Sequence, residues 1–168
     1  IIGVFVFFWL ISAGKLGFMP TFEELENPNN RFASEVYFAD GPIMNRYFEK
    51  ENRKYIEYRE IPQSVIDALI ATEDVRFYDH SGVDVRGLFR VAKGLLTANT
   101  SAGGGSTISQ QLAKMLFPRE SDLNVFELAI RKFREWVIAV RLEKSYTKEE
   151  ILTMYLNKYD FLNLAVGI

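Results

Sequence analysis

Apolar residues recur at helical spacing through most of the chain after residue 61, and this pattern limits the fold more than any other feature. The longest such stretch runs from Phe126 to Tyr146, with apolar residues at positions i, i+3, i+4 and i+7. Shorter stretches begin after Pro62 and after Asp84, and Thr147 starts a last helix in which Glu150 completes a capping box. The sequence therefore predicts a mainly α-helical domain.

The first fourteen residues, IIGVFVFFWLISAG, carry no charge before Lys15. As a helix this run is about 21 Å long, which is shorter than the roughly 30 Å hydrocarbon core of a bilayer. We interpret residues 1–18 as the end of a transmembrane anchor whose start lies upstream. The alternatives are a signal-peptide core and a buried helix of the domain.

Residues 19–60 predict a linker and a small β segment. Two β-prone runs, Ser34–Phe38 and Ile43–Phe48, are separated by turn residues, and Lys54–Tyr58 is a candidate third strand. Residues 61–168 then form the main domain. We expect its C-terminal part to be missing, because no terminating signal precedes Ile168.

Composition narrows the class of protein. The 168 residues are 48% hydrophobic, which is typical of a globular domain with a core. The net charge of −2 gives no general attraction to nucleic acid. The chain has no cysteine, which excludes disulfides, thiol catalysis and cysteine-based zinc sites.

The segment Ala71–Asp84 concentrates acidic residues where a predicted helix ends. Carboxylates are unfavourable there because they face the negative end of the helix dipole, so the segment is a candidate functional site. Its ionisable side chains include the single histidine of the chain: Glu73, Asp74, Asp79, His80 and Asp84. Their spacing matches no zinc or calcium template, so we do not predict a metal site built by the protein alone.

Two further segments are candidate anion sites. The loop Gly103–Gln111 places Ser106 and Thr107 at a helix start, where free N–H groups and hydroxyls bind phosphate, and Lys114 follows on that helix. Read alone, the loop favours an ordinary glycine loop with a serine cap, and it is Lys114 that shifts the interpretation towards an anion site. The segment Arg131–Glu135 is either a cationic surface with an embedded acid or a set of exposed ion pairs.

Four ordered motifs between Ile61 and Asn157 resemble the peptidoglycan glycosyltransferase (transglycosylase) family 51, found in class A penicillin-binding proteins. The motifs are Glu73-Asp74-x-x-Phe77-x-x-His80-x-Gly82, Gly105-Ser106-Thr107-Ile108-Ser109-Gln110-Gln111, Arg131-Lys132-x-x-Glu135 and Lys148-x-x-Ile151-Leu152-x-x-Tyr155-Leu156-Asn157. The resemblance implies a lysozyme-like fold that polymerises lipid II into β-1,4 glycan strands, with inversion and release of undecaprenyl pyrophosphate. It also implies a single-pass protein of the cytoplasmic membrane, with the catalytic domain on the outer, periplasmic face.

The resemblance further implies roles for individual residues. Glu73 matches the general base, and Glu135 matches the second acidic residue. Substrate-binding positions are Asp74, Phe77, His80, Ser106, Thr107, Gln110, Gln111, Lys114, Arg131 and Lys132. A divalent cation, Mg²⁺ or Mn²⁺, accompanies the substrate pyrophosphate in family members. The implied partners are lipid II, the growing glycan strand, the membrane and, in bifunctional members, a C-terminal transpeptidase domain.

Two other functions remain open on the residues alone. A lytic, lysozyme-like enzyme would use Glu73 as a general acid, but it would have less use for the cations at positions 114, 131 and 132. A non-catalytic, membrane-tethered cell-wall scaffold would need none of these groups.

Overall fold

The computed structural model describes residues 2–17, 19–21, 24, 34–39, 43–47, 55–97, 104–116 and 124–159, and they are mainly helical. The α-helices are α1 (Ile2–Ser12), α2 (Gln63–Glu73), α3 (Val85–Leu96), α4 (Ile108–Leu116), α5 (Val125–Ser145) and α6 (Lys148–Lys158). Two short 3₁₀ helices cover Tyr58–Glu60 and Phe77–Asp79. The prediction of a mainly α-helical domain is confirmed.

The small β segment is an antiparallel pair of strands. Strand β1 (Ser34–Tyr37) pairs with β2 (Ile43–Tyr47), and Ser34 lies opposite Tyr47. The predicted third strand is wrong within its described residues, because residues 55–57 are not in a strand and a 3₁₀ helix follows them. The backbone of Ile56 forms hydrogen bonds with a side chain instead of a strand. Asn157 accepts from the N–H of Ile56 and donates to the carbonyl of Ile56.

Helix α4 lies at the centre of the core, packed against α5 and α6. Its residues Ile108 and Leu112 are completely buried, as are Leu142 of α5 and Ile151 and Leu152 of α6. Burying such side chains supplies most of the favourable free energy of a fold of this kind. The segment before α4 therefore has a rigid support.

Side-chain caps define where α5 and α6 begin. Asn124 accepts from the N–H of Glu127, and Glu127 accepts from the N–H of Asn124. Thr147 and Glu150 make the same reciprocal pair at the start of α6, which confirms the predicted capping box.

Helix α1 packs against α5 through aromatic rings. The rings of Phe7 and Phe8 meet Phe133 edge to face at 5.3 and 5.8 Å. Arg141 of α5 donates to the carbonyls of Ser12 and Pro20, which ties down the end of α1. The outer face of α1 exposes Ile2, Phe5, Val6 and Trp9.

In the described part of the chain, none of the helices combines the length and apolar character needed to cross a bilayer. The transmembrane anchor therefore stays a prediction. The segment 160–168, which bears on the expected missing C-terminal part, lies outside the described residues.

Candidate active site

A cavity of about 420 Å³ opens between the C-terminal end of α2, helix α3 and the loop that leads into α4. Glu73, the last residue of α2, lines it together with Arg90, Ser106 and Gln111. The Glu73 side chain is open to solvent rather than sealed in the core. A carboxylate placed in this way can reach a ligand inside the cavity.

Gln111 of α4 holds the Glu73 carboxylate. Its Nε2 atom donates to Oε2 of Glu73 at 2.7 Å, and its Oε1 atom accepts from the hydroxyl of Tyr155 at 3.0 Å. Burial raises the pKa of Tyr155, and the negative charge of Glu73 raises it further. The Tyr155 hydroxyl therefore stays protonated and acts as the donor.

Asp74, the residue after Glu73, is buried and joins the end of α2 to the start of α4. Its carboxylate accepts from the N–H of Ile108 at 3.1 Å and from Nε2 of His80 at 2.9 Å. The N–H of Gly82 donates to Nδ1 of His80 at 3.2 Å, which places the ring hydrogen on Nε2. The N-terminal end of α4 thus stabilises the negative charge of Asp74, which the C-terminal end of α2 disfavours.

Gly82 fits where no side chain could. Its φ is +94°, and an added Cβ would lie 2.7 Å from the carbonyl carbon of Ala139 in α5. Its own carbonyl accepts from Oγ1 of Thr107 at 2.7 Å and from Nε2 of Gln110 at 3.3 Å. The predicted phosphate-loop residues Thr107 and Gln110 are buried and hold this turn.

Lys148 supports the same turn from α6. Its Nζ atom donates to the carbonyl of His80 at 2.7 Å and pairs with Glu143 at 2.8 Å. It also lies 4.2 Å from the centroid of the Phe77 ring, within the range of a cation–π contact. Glu143 in turn accepts from the hydroxyl of Ser109.

A cluster of charges adjoins the cavity through Ser106. Nζ of Lys132 donates to the Ser106 hydroxyl at 2.9 Å and to Oε2 of Glu135 at 3.1 Å. Nζ of Lys114 lies 3.9 Å from the same carboxylate oxygen. Glu135 therefore holds two ammonium groups close together and offsets their mutual repulsion, and Arg131 precedes Lys132 on the same helix.

The structure divides the predicted site residues other than Arg131 into two groups. Glu73, Asp74, Ser106, Thr107 and Gln111 line the cavity, and the cluster formed by Lys114, Lys132 and Glu135 adjoins it through Ser106. Phe77 and Gln110 are fully buried and the His80 side chain is 8% exposed, so these three act as supports rather than as direct contacts.

Three charged residues of the cavity wall had no predicted role in catalysis or substrate binding: Arg76, Asp84 and Arg90. Nε of Arg76 donates to Asp84 at 3.1 Å, and this bond lowers the pKa of the Asp84 carboxyl. Asp84 was named among the acids of the candidate segment Ala71–Asp84, but no role in binding or catalysis was predicted for it. No motif marks Arg90; the helical spacing after Asp84 puts it on the face opposite Leu88 and Val91, which is the signal that could have found it.

The family model described as "Transglycosylase" matches residues 40–168. The chain belongs to the transglycosylase family. Penicillin-binding protein 1A of Escherichia coli (strain K12) is 39% identical over 150 residues, which cover 89% of this chain and 17% of that protein. Penicillin-binding protein 1F of Bacillus subtilis (strain 168) is 42% identical over 118 residues, or 70% of this chain and 16% of that protein.

Membership of the transglycosylase family confirms the resemblance carried by the four motifs. The first and third of them supply the cavity acid Glu73 and the charge cluster around Glu135, and the second supplies Ser106 between them. The chain spans less than a fifth of the length of each of these two relatives.

Proposed function

We propose that the chain is a peptidoglycan glycosyltransferase domain that polymerises lipid II into β-1,4 glycan strands. One observation carries this proposal: the same cavity is bordered by a carboxylate that can act as a base and by cations that can bind a pyrophosphate. Glu73 and Ser106 line it together, and Ser106 is bonded to Lys132 of the cation cluster.

Glu73 is the proposed general base. It takes the proton of the 4-hydroxyl of the acceptor sugar, and the hydroxyl oxygen attacks the anomeric carbon of the donor with inversion. The bond from that carbon to the pyrophosphate breaks, and its electron pair leaves with the pyrophosphate. A sugar hydroxyl is a weak nucleophile, and a positioned base is worth about 10²- to 10⁴-fold in rate.

Lys114, Arg131 and Lys132 are the proposed partners of the leaving pyrophosphate. Negative charge develops on it in the transition state, and fixed cations stabilise that charge more than the ground state. Glu135 keeps Lys114 and Lys132 in place through its 3.9 and 3.1 Å contacts. A lytic enzyme releases no pyrophosphate and would have less use for these cations, which favours the transferase.

A divalent cation would arrive on the substrate pyrophosphate. Among the residues that the structure describes, no three histidine or acidic side chains gather as a metal cage. Glu135, the acid nearest the proposed pyrophosphate position, is already paired with two lysines. No step above depends on a metal site built by the protein.

The proposed location is the outer face of the cytoplasmic membrane, with residues 1–18 belonging to an anchor, 19–60 to a linker with the β hairpin, and 61–168 to the catalytic domain. The outer face of α1, with Ile2, Phe5, Val6 and Trp9 exposed, supports contact with lipid. The remaining proposed partners are the growing glycan strand and a C-terminal transpeptidase domain.

The test is lipid II turnover by the full-length gene product, with glycan polymer and released lipid pyrophosphate both measured. We expect Glu73→Gln to lower the rate by at least about a hundredfold, because the amide cannot accept the proton. Asp67→Asn is the matched control: it changes an exposed acid of the same helix that does not line the cavity, and it should stay near wild type.

Two results would contradict the proposal. Polymer made by Glu73→Gln at the wild-type rate would favour the non-catalytic scaffold. Soluble fragments from preformed peptidoglycan, with no polymer from lipid II, would favour the lytic enzyme.

A further inference from the structure

Three residues from three helices form a chain of hydrogen bonds that ends on the cavity acid. The Tyr155 hydroxyl of α6 donates to Oε1 of Gln111 in α4, and Nε2 of Gln111 donates to Oε2 of Glu73 at the end of α2. Among the described residues, Gln111 is the one hydrogen-bond partner of the Glu73 side chain.

The chemistry of the two ends allows only one orientation of the Gln111 amide. The Glu73 carboxylate accepts hydrogen bonds and cannot donate, and the protonated Tyr155 hydroxyl has a hydrogen to donate. If the amide turned over, its oxygen would face the carboxylate and its NH₂ group would face the Tyr155 hydrogen. The bond to Glu73 would then be lost, and the Tyr155 hydroxyl would have to turn its hydrogen away in order to accept from the NH₂ group.

Tyr155 is held rigidly enough to impose that orientation. It is 1% exposed, and its ring stacks on Tyr159 at 5.2 Å between centroids. Its helix begins with a complete capping box and packs against α4. The hydroxyl therefore has a fixed position relative to Gln111.

The other charged groups of the cavity wall do not orient Glu73, because each is bonded elsewhere. Asp74 is bonded to His80, Arg76 to Asp84, and Arg90 donates to the carbonyl of Gly104 at 3.4 Å. Gln111 occupies only Oε2 of Glu73, so Oε1 is left to receive a proton from a ligand in the cavity.

We propose that Tyr155 is a positioning residue for the transferase reaction, acting through the Gln111 amide to fix the direction of the Glu73 carboxylate. This inference rests on the proposed function, since it needs Glu73 as the base. Tyr155 itself is too deeply buried to touch the substrate. It sets only where the proton-accepting oxygen lies.

The experiment is a double-mutant cycle in the full-length gene product, with kcat and KM for lipid II measured for each variant. Tyr155→Phe keeps the ring and removes the hydroxyl. We expect kcat to fall about three- to tenfold, the effect of one hydrogen bond, while KM stays unchanged because no substrate contact is lost. Tyr159→Phe is the matched control, which removes a hydroxyl from the stacked ring and should leave kcat unchanged.

The cycle is completed with Gln111→Met, which keeps the side-chain length and removes the amide. If Tyr155 acts through Gln111, adding Tyr155→Phe to Gln111→Met should lower kcat no further. A purely structural role would instead multiply the two losses. Thermal unfolding of each variant ensures that only folded enzyme is compared.

Failure of this inference differs from failure of the proposed function. If Glu73→Gln is inactive but Tyr155→Phe keeps the wild-type kcat, the positioning role of Tyr155 is overturned and the proposed function is not. The same holds if the Tyr155→Phe loss persists in full in the Gln111→Met background. Wild-type activity of Glu73→Gln would overturn the function itself.

Discussion

The buried ion pair between Lys148 and Glu143 shows how single residues hold the candidate site in place. The Glu143 side chain is only 4% exposed and the Lys148 side chain 22%. Lys148 also bonds to the carbonyl of His80, so the pair connects α5 and α6 to the turn behind Glu73. Removing one partner would leave the other charge buried and uncompensated.

We expect Lys148→Met to lower the free energy of unfolding by about 3–5 kcal/mol, because the Glu143 carboxylate loses its cation. Urea denaturation measures this change. The control is Lys144→Met, which removes an exposed lysine of α5 next to Glu143 in the chain and should cost less than about 0.5 kcal/mol. Equal losses for the two variants would show that the buried pair has no special role.

At the scale of residues, local motifs predicted the charged groups but not their connections. Glu73, Lys132 and Glu135 stand in recognisable patterns with a chemical reason for each. The link from Glu73 to Gln111 spans 38 positions and the link from Gln111 to Tyr155 spans 44, so neither leaves a local pattern. Tyr155 stands in the fourth motif, but nothing in the sequence connects it with Glu73.

The carboxylate of Asp84, at the start of α3, accepts two kinds of hydrogen bond. Asp84 accepts from the N–H of Gly87 as a cap and from Arg76 across the cavity wall. Arg76 first, and the Gly87 N–H next, lower the pKa of the Asp84 carboxyl in the folded state. The stabilisation is therefore complete above the ordinary pKa of aspartate, about 3.9, and is lost as pH falls through the lower folded-state pKa.

We expect Asp84→Ala to destabilise the protein at pH 7, with loss of the cap alone accounting for about 1 kcal/mol. The difference from wild type should shrink as the pH is lowered from about 4 towards 2, and unfolding measured across that range checks it. Arg76→Met should show the same trend, because it removes the partner. A difference that is constant between pH 7 and pH 2 would contradict this account of Asp84.

At the scale of elements, local patterns predicted the Thr147 cap and the two strands of the hairpin. The pairs Asn124–Glu127 and Thr147–Glu150 act within four residues, and the second was predicted directly from its residue types. The failed third strand has a different origin. Ile56 bonds to Asn157, which is 101 positions away, and such a partner outweighs the β propensity of the local residues.

At the scale of the whole molecule, α5 connects the proposed catalytic cavity with α1, the helix proposed to contact the membrane. One part of it carries Lys132 and Glu135 beside the cavity, and another carries Phe133 and Arg141 against α1. Contact of α1 with the membrane would therefore fix the distance of the cation cluster from the lipid surface. The sequence predicted the helices but not this arrangement, because periodicity does not say which helices meet.

The central claim is that Glu73 and the cation cluster act on one substrate in one cavity. The most direct measurement is a crystal structure of the full-length gene product with a non-reacting lipid II analogue. We expect the pyrophosphate beside Lys114 and Lys132, and the acceptor 4-hydroxyl within about 2.6–3.2 Å of a Glu73 carboxylate oxygen. An analogue bound away from this cavity, or a pyrophosphate bound there with no sugar hydroxyl in reach of Glu73, would contradict the account.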